Sequence, residues 1–174
     1  MPHFARQPSW LRKLRRGCES RVLRGSLEGR PPKSSAPTGN RIDRVTVVDA
    51  SVFVDALVSS GLPGQLARDE LRGRTVLEVP AIFGAEVTSA LRMLVLRGEL
   101  TPLRAAAARE QIRTARTIQY PFEPFSDRVW ELRANLTVYD AWYVALAEWL
   151  GTDLVTADEH LANASGPRCA VRRL

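Results

Sequence analysis

Short β-branched runs alternate with longer stretches of helical period from Arg44 to the C-terminus. VTVVD (Val45–Asp49) predicts a buried strand ending in an acid. A helix follows over Ala50–Ser59, then a turn at Gly61, Pro63 and Gly64, then a second helix over Gln65–Arg72 closed by Gly73. Thr75–Val79 predicts the next strand, and Pro80 is expected to open a long helix over Ala81–Arg97. Along that helix Phe83, Val87, Ala90, Leu91, Leu94 and Val95 recur at helical spacing, and Gly98 stops it. Thr101 and Pro102 make an N-cap and a first helical position for the Ala-rich helix Leu103–Thr114. A strand at Thr117–Pro121, a helix at Ser126–Asn135 and an apolar helix at Tyr139–Leu150 closed by Gly151 come next. A strand at Asp153–Thr156 and an edge strand at Cys169–Val171 complete the chain. Strands alternating with helices predict an α/β protein, a three-layer α/β/α sandwich around a short parallel sheet.

Charge divides the chain in two. Its 174 residues hold 25 Lys/Arg and 19 Asp/Glu, a formal +6. Residues 1–44 carry 11 bases against 3 acids, and residues 45–174 carry 14 against 16. A uniformly basic nucleic-acid-binding domain is therefore excluded. The basic excess coincides with a stretch rich in Pro and Gly that includes GRPPKSSAPTGN (Gly29–Asn40). Residues 1–43 are accordingly expected to be a disordered basic arm, and residues 44–174 the folded domain. Cys18 and Cys169 belong to no CxxC or Cys/His cluster, so neither a disulfide framework nor a zinc module is expected. No apolar run approaches the length of a membrane span, and the N-terminus lacks the apolar core of a secretory signal. A reducing cytoplasm is the expected setting, with no membrane partner.

Acids mark the candidate chemistry. In a doubly wound parallel sheet the ligand site lies outside the carboxyl ends of the strands. Asp49 follows VTVV and Asp158 follows LVTA, both at such ends. Glu86 lies early in the helix after Pro80, and Asp140 opens the Tyr139 helix on the face of Tyr143, Val144 and Ala147. Taken singly, each acid reads equally well as a helix cap favoured by the dipole. Their convergence argues for more, because ionised carboxylates on apolar faces are costly unless something positive meets them. No Lys or Arg shares those faces, with Arg92 and Arg97 set elsewhere around their helix. Oxygen donors without His or Cys select Mg²⁺ or Mn²⁺ over zinc, and such an ion suits phosphoryl chemistry. Competing phosphate motifs are missing: neither a G-x-x-x-x-G-K-[ST] loop nor a G-x-G-x-x-G after the first strand is present. Asp49-Ala50-Ser51 also lacks the second aspartate of a small-molecule phosphatase of the haloacid-dehalogenase type.

Four segments together resemble a known family. VVDASVFVD (Val47–Asp55), Glu86 within its helix, LTVYDAWYVALAEWLG (Leu136–Gly151) and LVTADEHLA (Leu154–Ala162) are similar to a PIN domain, and more narrowly to a VapC-type toxin ribonuclease. The resemblance covers about residues 45–171. It implies Asp49, Glu86, Asp140 and Asp158 as an acidic quartet, spaced 37, 54 and 18 residues apart, around Mg²⁺ or Mn²⁺. On that pattern Asp49 and Asp140 hold the principal metal directly, and Glu86 and Asp158 complete its shell through water or a second ion. Ser51 and Thr156 orient the carboxylates, or else serve only as an N-cap and a strand-end hydroxyl. Where many relatives carry Arg after the last acidic motif, this chain has His160.

The implied activity is hydrolysis of an RNA phosphodiester, in tRNA, rRNA or mRNA. The implied partners are a small cognate antitoxin and a second copy of the chain in a homodimer, through apolar surface drawn from Trp130, Leu132 or Trp142. Arg68, Arg72 and Arg74 form one candidate set for RNA phosphates, and Arg104, Arg109, Arg113 and Arg116 another. The arm reads as an RNA tether, as a silent extension, or as an untranslated leader to a start at Val45 or Val47, which restores the usual family layout. Rival readings are a PIN nuclease of RNA processing with no antitoxin and a non-catalytic RNA-binding module of the same fold.

Overall fold

The computed structural model describes residues 46–174. The basic arm, and with it the question of a start at Val45, lies outside them. Five strands form one wholly parallel sheet in the order β3-β2-β1-β4-β5. They are β1 (Val47–Val48), β2 (Leu77–Pro80), β3 (Thr117–Tyr120), β4 (Leu154–Thr156) and β5 (Val171–Arg173). The helices are α1 (Ala50–Val58), α2 (Gly61–Leu71), α3 (Phe83–Leu96), α4 (Pro102–Thr114), α5 (Ser126–Glu131), α6 (Val138–Leu150) and α7 (Glu159–Ala162), with a 3₁₀ turn at Glu123–Phe125. The expected α/β/α sandwich is the fold observed.

Burial explains the central strands. Val47, Val48, Leu154 and Val155 are at most 1% exposed, as a strand covered on both faces requires. On one side α1 packs against α2 and α3, and α3 against α4. On the other, α6 lies across β1, β2 and β4 and is braced by α5. Ala141–Ala147 are all buried, so α6 is apolar around its whole circumference. Gly151 closes it in the left-handed region at φ 65°. The aromatic wedge of Tyr120, Phe125 and Trp149 packs α6 to the end of β3.

Several boundaries shift from the sequence reading, each for a local reason. The turn expected at Gly61–Gly64 is the first turn of α2, where Pro63 sacrifices no helical hydrogen bond. Gly64 lets α2 close on α1: a Cβ there would stand 2.1 Å from the Ser59 carbonyl oxygen. Pro80 ends β2 rather than opening α3, because Pro80 pairs with Tyr120 and Ala81 N–H still donates to the Tyr120 carbonyl at 2.9 Å. Successive turn bonds through Leu132 and Asn135 end α5 at Glu131. The last strand moves to Val171–Arg173, set by the pairing of Leu154 with Val171, and it does occupy a sheet edge. Of the three apolar residues expected at the surface, only Trp130 is there, at 65% exposure. Leu132 and Trp142 are buried in the core.

Candidate metal centre

The chain order reverses direction at β1, with β2 on one side and β4 on the other. A crevice opens there at the carboxyl ends of the strands, as doubly wound sheets dictate. It is an open cleft of about 460 Å³ whose lining includes Asp49, Ser51, Asp55, Glu86 and Asp158. Asp49 caps α1 and is only 7% exposed. Asp158 caps the short α7, Glu86 lies in the first turn of α3, and Asp140 lies in the first turn of α6. Serving as a helix cap therefore does not keep an acid out of the crevice. Each acid sits where a helix N-terminus favours negative charge; Asp49, Glu86 and Asp158 line the crevice, and Asp140, outside its lining, is close enough for its charge to act on Asp49 and Glu86.

Each carboxylate has one oxygen fixed by the protein and the other without a protein partner. Asp49 Oδ2 accepts the Ser51 hydroxyl, the Thr156 hydroxyl at 2.9 Å and the Ser51 N–H at 3.4 Å, while Oδ1 takes none. Glu86 Oε2 accepts the Tyr143 hydroxyl at 2.6 Å. Asp140 Oδ2 accepts the Thr137 hydroxyl at 2.7 Å, and Thr137 Oγ1 accepts the Asp140 N–H at 3.2 Å. Asp158 Oδ1 accepts the N–H groups of His160 at 2.7 Å and Leu161 at 3.3 Å. Glu86 Oε1, Asp140 Oδ1 and Asp158 Oδ2 are free of partners among the described residues.

A second tier of bonds fixes the hydroxyls themselves. The Ala157 N–H donates to Ser51 Oγ at 3.0 Å, and the Asp158 N–H donates to Thr156 Oγ1 at 2.9 Å. Thr156 is fully buried, so β4, α1 and the loop after β4 are locked around Asp49. Both hydroxyls singled out from sequence therefore hold Asp49. Tyr143 and Thr137 were missed in that role. Tyr143 stands three residues after Asp140 on one helix face, and the T-x-x-D spacing of Thr137 and Asp140 is a capping-box signature. Asp55 is a further acid on the cleft wall, and it is tied by the Ser59 hydroxyl at 2.6 Å.

Among the described residues, no opposite charge compensates these acids. Burial pushes the Asp49 carboxyl above its ordinary range; the Ser51 and Thr156 hydroxyls pull it back, and the negative charge of Asp140 adds to the rise. Burial likewise raises Glu86, opposed by the Tyr143 hydroxyl and reinforced by Asp49 and Asp140. Burial and the Glu86 charge push the Tyr143 phenol far above its normal value, so it acts as a donor at every ordinary pH. None of the ion pairs among the described residues involves these four acids. Asp49, Glu86 and Asp140 repel one another, and no guanidinium among the described residues pairs with them.

Comparison with known proteins decides the family. A PIN domain family model matches residues 46–167. The chain belongs to the PIN domain family. Within it the chain is of the VapC type. It is 39% identical over 125 residues to "VapC ribonuclease Mb0985" of Mycobacterium bovis, covering 72% of this chain and 94% of that protein. It is 39% identical over 127 residues to "Ribonuclease VapC1" of Mycobacterium tuberculosis, covering 72% and 95%. It is 37% identical over 120 residues to "Ribonuclease VapC12" of the same species, covering 69% and 92%. Among solved structures, the PIN fold here is similar to that of PAE2754 from Pyrobaculum aerophilum, with a TM-score of 0.53 at 20% identity over 78% of this chain and 92% of that one. No helix among the described residues of this PIN domain is long and apolar enough to cross a membrane.

Proposed function

We propose that this PIN domain is a divalent-metal-dependent endoribonuclease, the toxic member of a toxin–antitoxin pair. One observation carries the reading: Asp49, Glu86 and Asp158 line one cleft and Asp140 acts on Asp49 and Glu86 from beside it, each carboxylate with one oxygen pinned and one free, and no cation among the described residues pairs with them. Hard oxygen donors fit Mg²⁺ or Mn²⁺. No three His, Cys, Asp or Glu side chains among the described residues stand close enough together to hold a metal ion between them. Only one or two carboxylates therefore need touch the ion directly, as Mg²⁺, which keeps several of its waters, allows. Bound there, the ion would supply water activation and stabilisation of charge on a phosphoryl oxygen.

The chain's own residues do the rest. Asp49 and Asp140 are the proposed direct ligands, and Glu86 and Asp158 complete the shell and orient the attacking water. Ser51 and Thr156 fix the direction of Asp49, Tyr143 that of Glu86, and Thr137 that of Asp140. Outer-shell partners of this kind set ligand orientation and basicity. The relatives named as VapC ribonucleases support RNA as the substrate, and a small antitoxin is the partner that the resemblance to the VapC type implies. A homodimer is part of the same proposal.

The test is cleavage of RNA by the purified chain with and without Mg²⁺. Wild type should cut only with the ion, and Asp140→Asn should fold normally and cut at no measurable rate. Cleavage by Asp140→Asn at the wild-type rate would sink the assignment. Metal-independent RNA binding without cleavage would favour a non-catalytic module.

A further inference from the structure

An RNA strand must approach a cleft walled by carboxylates on a domain with more acids than bases. Attraction therefore requires arginines near the cleft whose charge is not already neutralised. Most of the fourteen arginines in residues 46–174 are engaged. The first set singled out from sequence is fully occupied: Arg68 donates to the Ala56 and Ser59 carbonyls, Arg72 pairs with Asp69, and Arg74 pairs with Glu70. In the second, Arg113 is held by Glu110, and Arg104 donates to the Val58 carbonyl at 3.1 Å. Arg92, Arg97, Arg109 and Arg116 have no acidic or carbonyl partner for their side chains among the described residues. All four lie on the α3–α4 hairpin or just after it.

Of these, Arg97 continues the cleft. Glu86 and Ala90 line the wall that α3 contributes. Met93 and Arg97 follow seven and eleven residues after Glu86, which brings both back to the same helical face. Arg97 is exposed at the end of α3, three turns or about 16 Å from Glu86. From sequence, Arg97 is expected elsewhere around the helix; eleven residues on, it is instead in line with Glu86 and separated from it along the axis. Met93 between them is 40% exposed. The facing wall is α1, with Val54 and Asp55, and its last turn receives the Arg104 guanidinium. Arg92 falls about a third of a turn away from the stripe.

We propose that Arg97 binds a backbone phosphate of a single-stranded RNA that leaves the carboxylate cleft along this face of α3, past Ala90 and Met93. The proposal rests on the ribonuclease reading and adds the direction of the substrate. A guanidinium offers two parallel donors to phosphate and stays charged at every relevant pH, and Met93 gives a polarisable apolar surface to a base.

The experiment measures binding of a single-stranded RNA oligonucleotide to Asp49→Asn protein against salt concentration, with Arg97→Gln or Arg92→Gln added. Removing one phosphate contact should reduce the slope of log K against log[salt] by about 0.7 for Arg97→Gln. Arg92→Gln should leave it unchanged. In otherwise wild-type protein Arg97→Gln should raise KM and leave kcat within about twofold, the mark of a binding contact away from the bond broken. An unaltered slope for Arg97→Gln overturns the proposal. So does unaltered RNA binding with loss of an acidic protein partner, which would place Arg97 in a protein interface. The reduced slope with no RNA cleavage by the wild-type chain would refute the ribonuclease reading and leave the RNA path standing.

Discussion

Tyr143→Phe isolates the positioning of Glu86 from everything else at the site. Tyr143 is fully buried, and its hydroxyl donates to Glu86 Oε2 at 2.6 Å. Phenylalanine fills the same volume and rotamer, so no cavity opens beyond the hydroxyl itself. A hydrogen bond to a charged acceptor is worth about 1.5–3 kcal/mol, and Glu86 is only half-buried, so water replaces part of it. The expected loss is about 1.5–2 kcal/mol in urea unfolding with chelator present. Freed of its anchor, Glu86 no longer presents its second oxygen in a fixed direction. The Mg²⁺ concentration for half-maximal RNA cleavage should then rise about 10- to 100-fold. Unfolding within about 0.5 kcal/mol of wild type, together with an unchanged Mg²⁺ requirement, would show that the Tyr143–Glu86 bond positions nothing.

Asp49→Asn should raise the stability of chelated protein at pH 7 by about 1 kcal/mol while abolishing cleavage, because it removes a buried charge that pairs with no cation among the described residues. Burial raises the Asp49 carboxyl in the fold. The variant's advantage should therefore shrink as pH falls through the folded value and vanish below the unfolded value of 3.8; an advantage that grows toward acid refutes this. Glu148 behaves in the opposite sense. Arg128 bonds it at 2.7 and 2.9 Å, and the Arg168 N–H bonds it at 2.7 Å, holding its carboxyl below the ordinary 4.5. Its stabilisation is complete above pH 4.5 and lost as pH falls through the depressed value. Urea midpoints of Glu148→Gln should therefore be lower than wild type at pH 7 and converge with it in acid. Gly64→Ala forces a Cβ to 2.1 Å from the Ser59 carbonyl oxygen and should cost about 1–3 kcal/mol in thermal unfolding; a wild-type melting curve would contradict the close α1–α2 contact.

The site was more legible in the sequence than the edges of the fold. Asp49 and Asp158 stand out because each ends a run of residues that only a strand buried on both faces would contain. The chemistry of a parallel sheet then says where such residues meet. What could not be read was the direction of each carboxylate. Tyr143 looks in sequence like one more apolar residue of α6, and only its placement over Glu86 shows that its hydroxyl is aimed across the layers. Boundaries near proline were misplaced for a related reason. Pro80 carries a helix-opening signal, yet the Ala81 hydrogen bond to β3, made between residues far apart in sequence, keeps the chain in the sheet. Arginine poses the same problem in reverse. Two clusters stand out along the sequence, but partners such as the Ser59 carbonyl and Glu70 engage all of the first and part of the second, while Arg97, in neither cluster, has no acidic or carbonyl partner among the described residues.

The claim at the centre of this account is that the unpinned carboxylate oxygens form one cation site. Anomalous diffraction from crystals soaked in Mn²⁺ tests it most directly. The expected result is a Mn²⁺ peak in the cleft at the end of β1, in contact with Asp49 Oδ1 and at least one of Glu86 Oε1, Asp140 Oδ1 and Asp158 Oδ2, and absent from Asp49→Asn. A cleft that stays empty at saturating Mn²⁺, or a peak unaffected by Asp49→Asn, would contradict it.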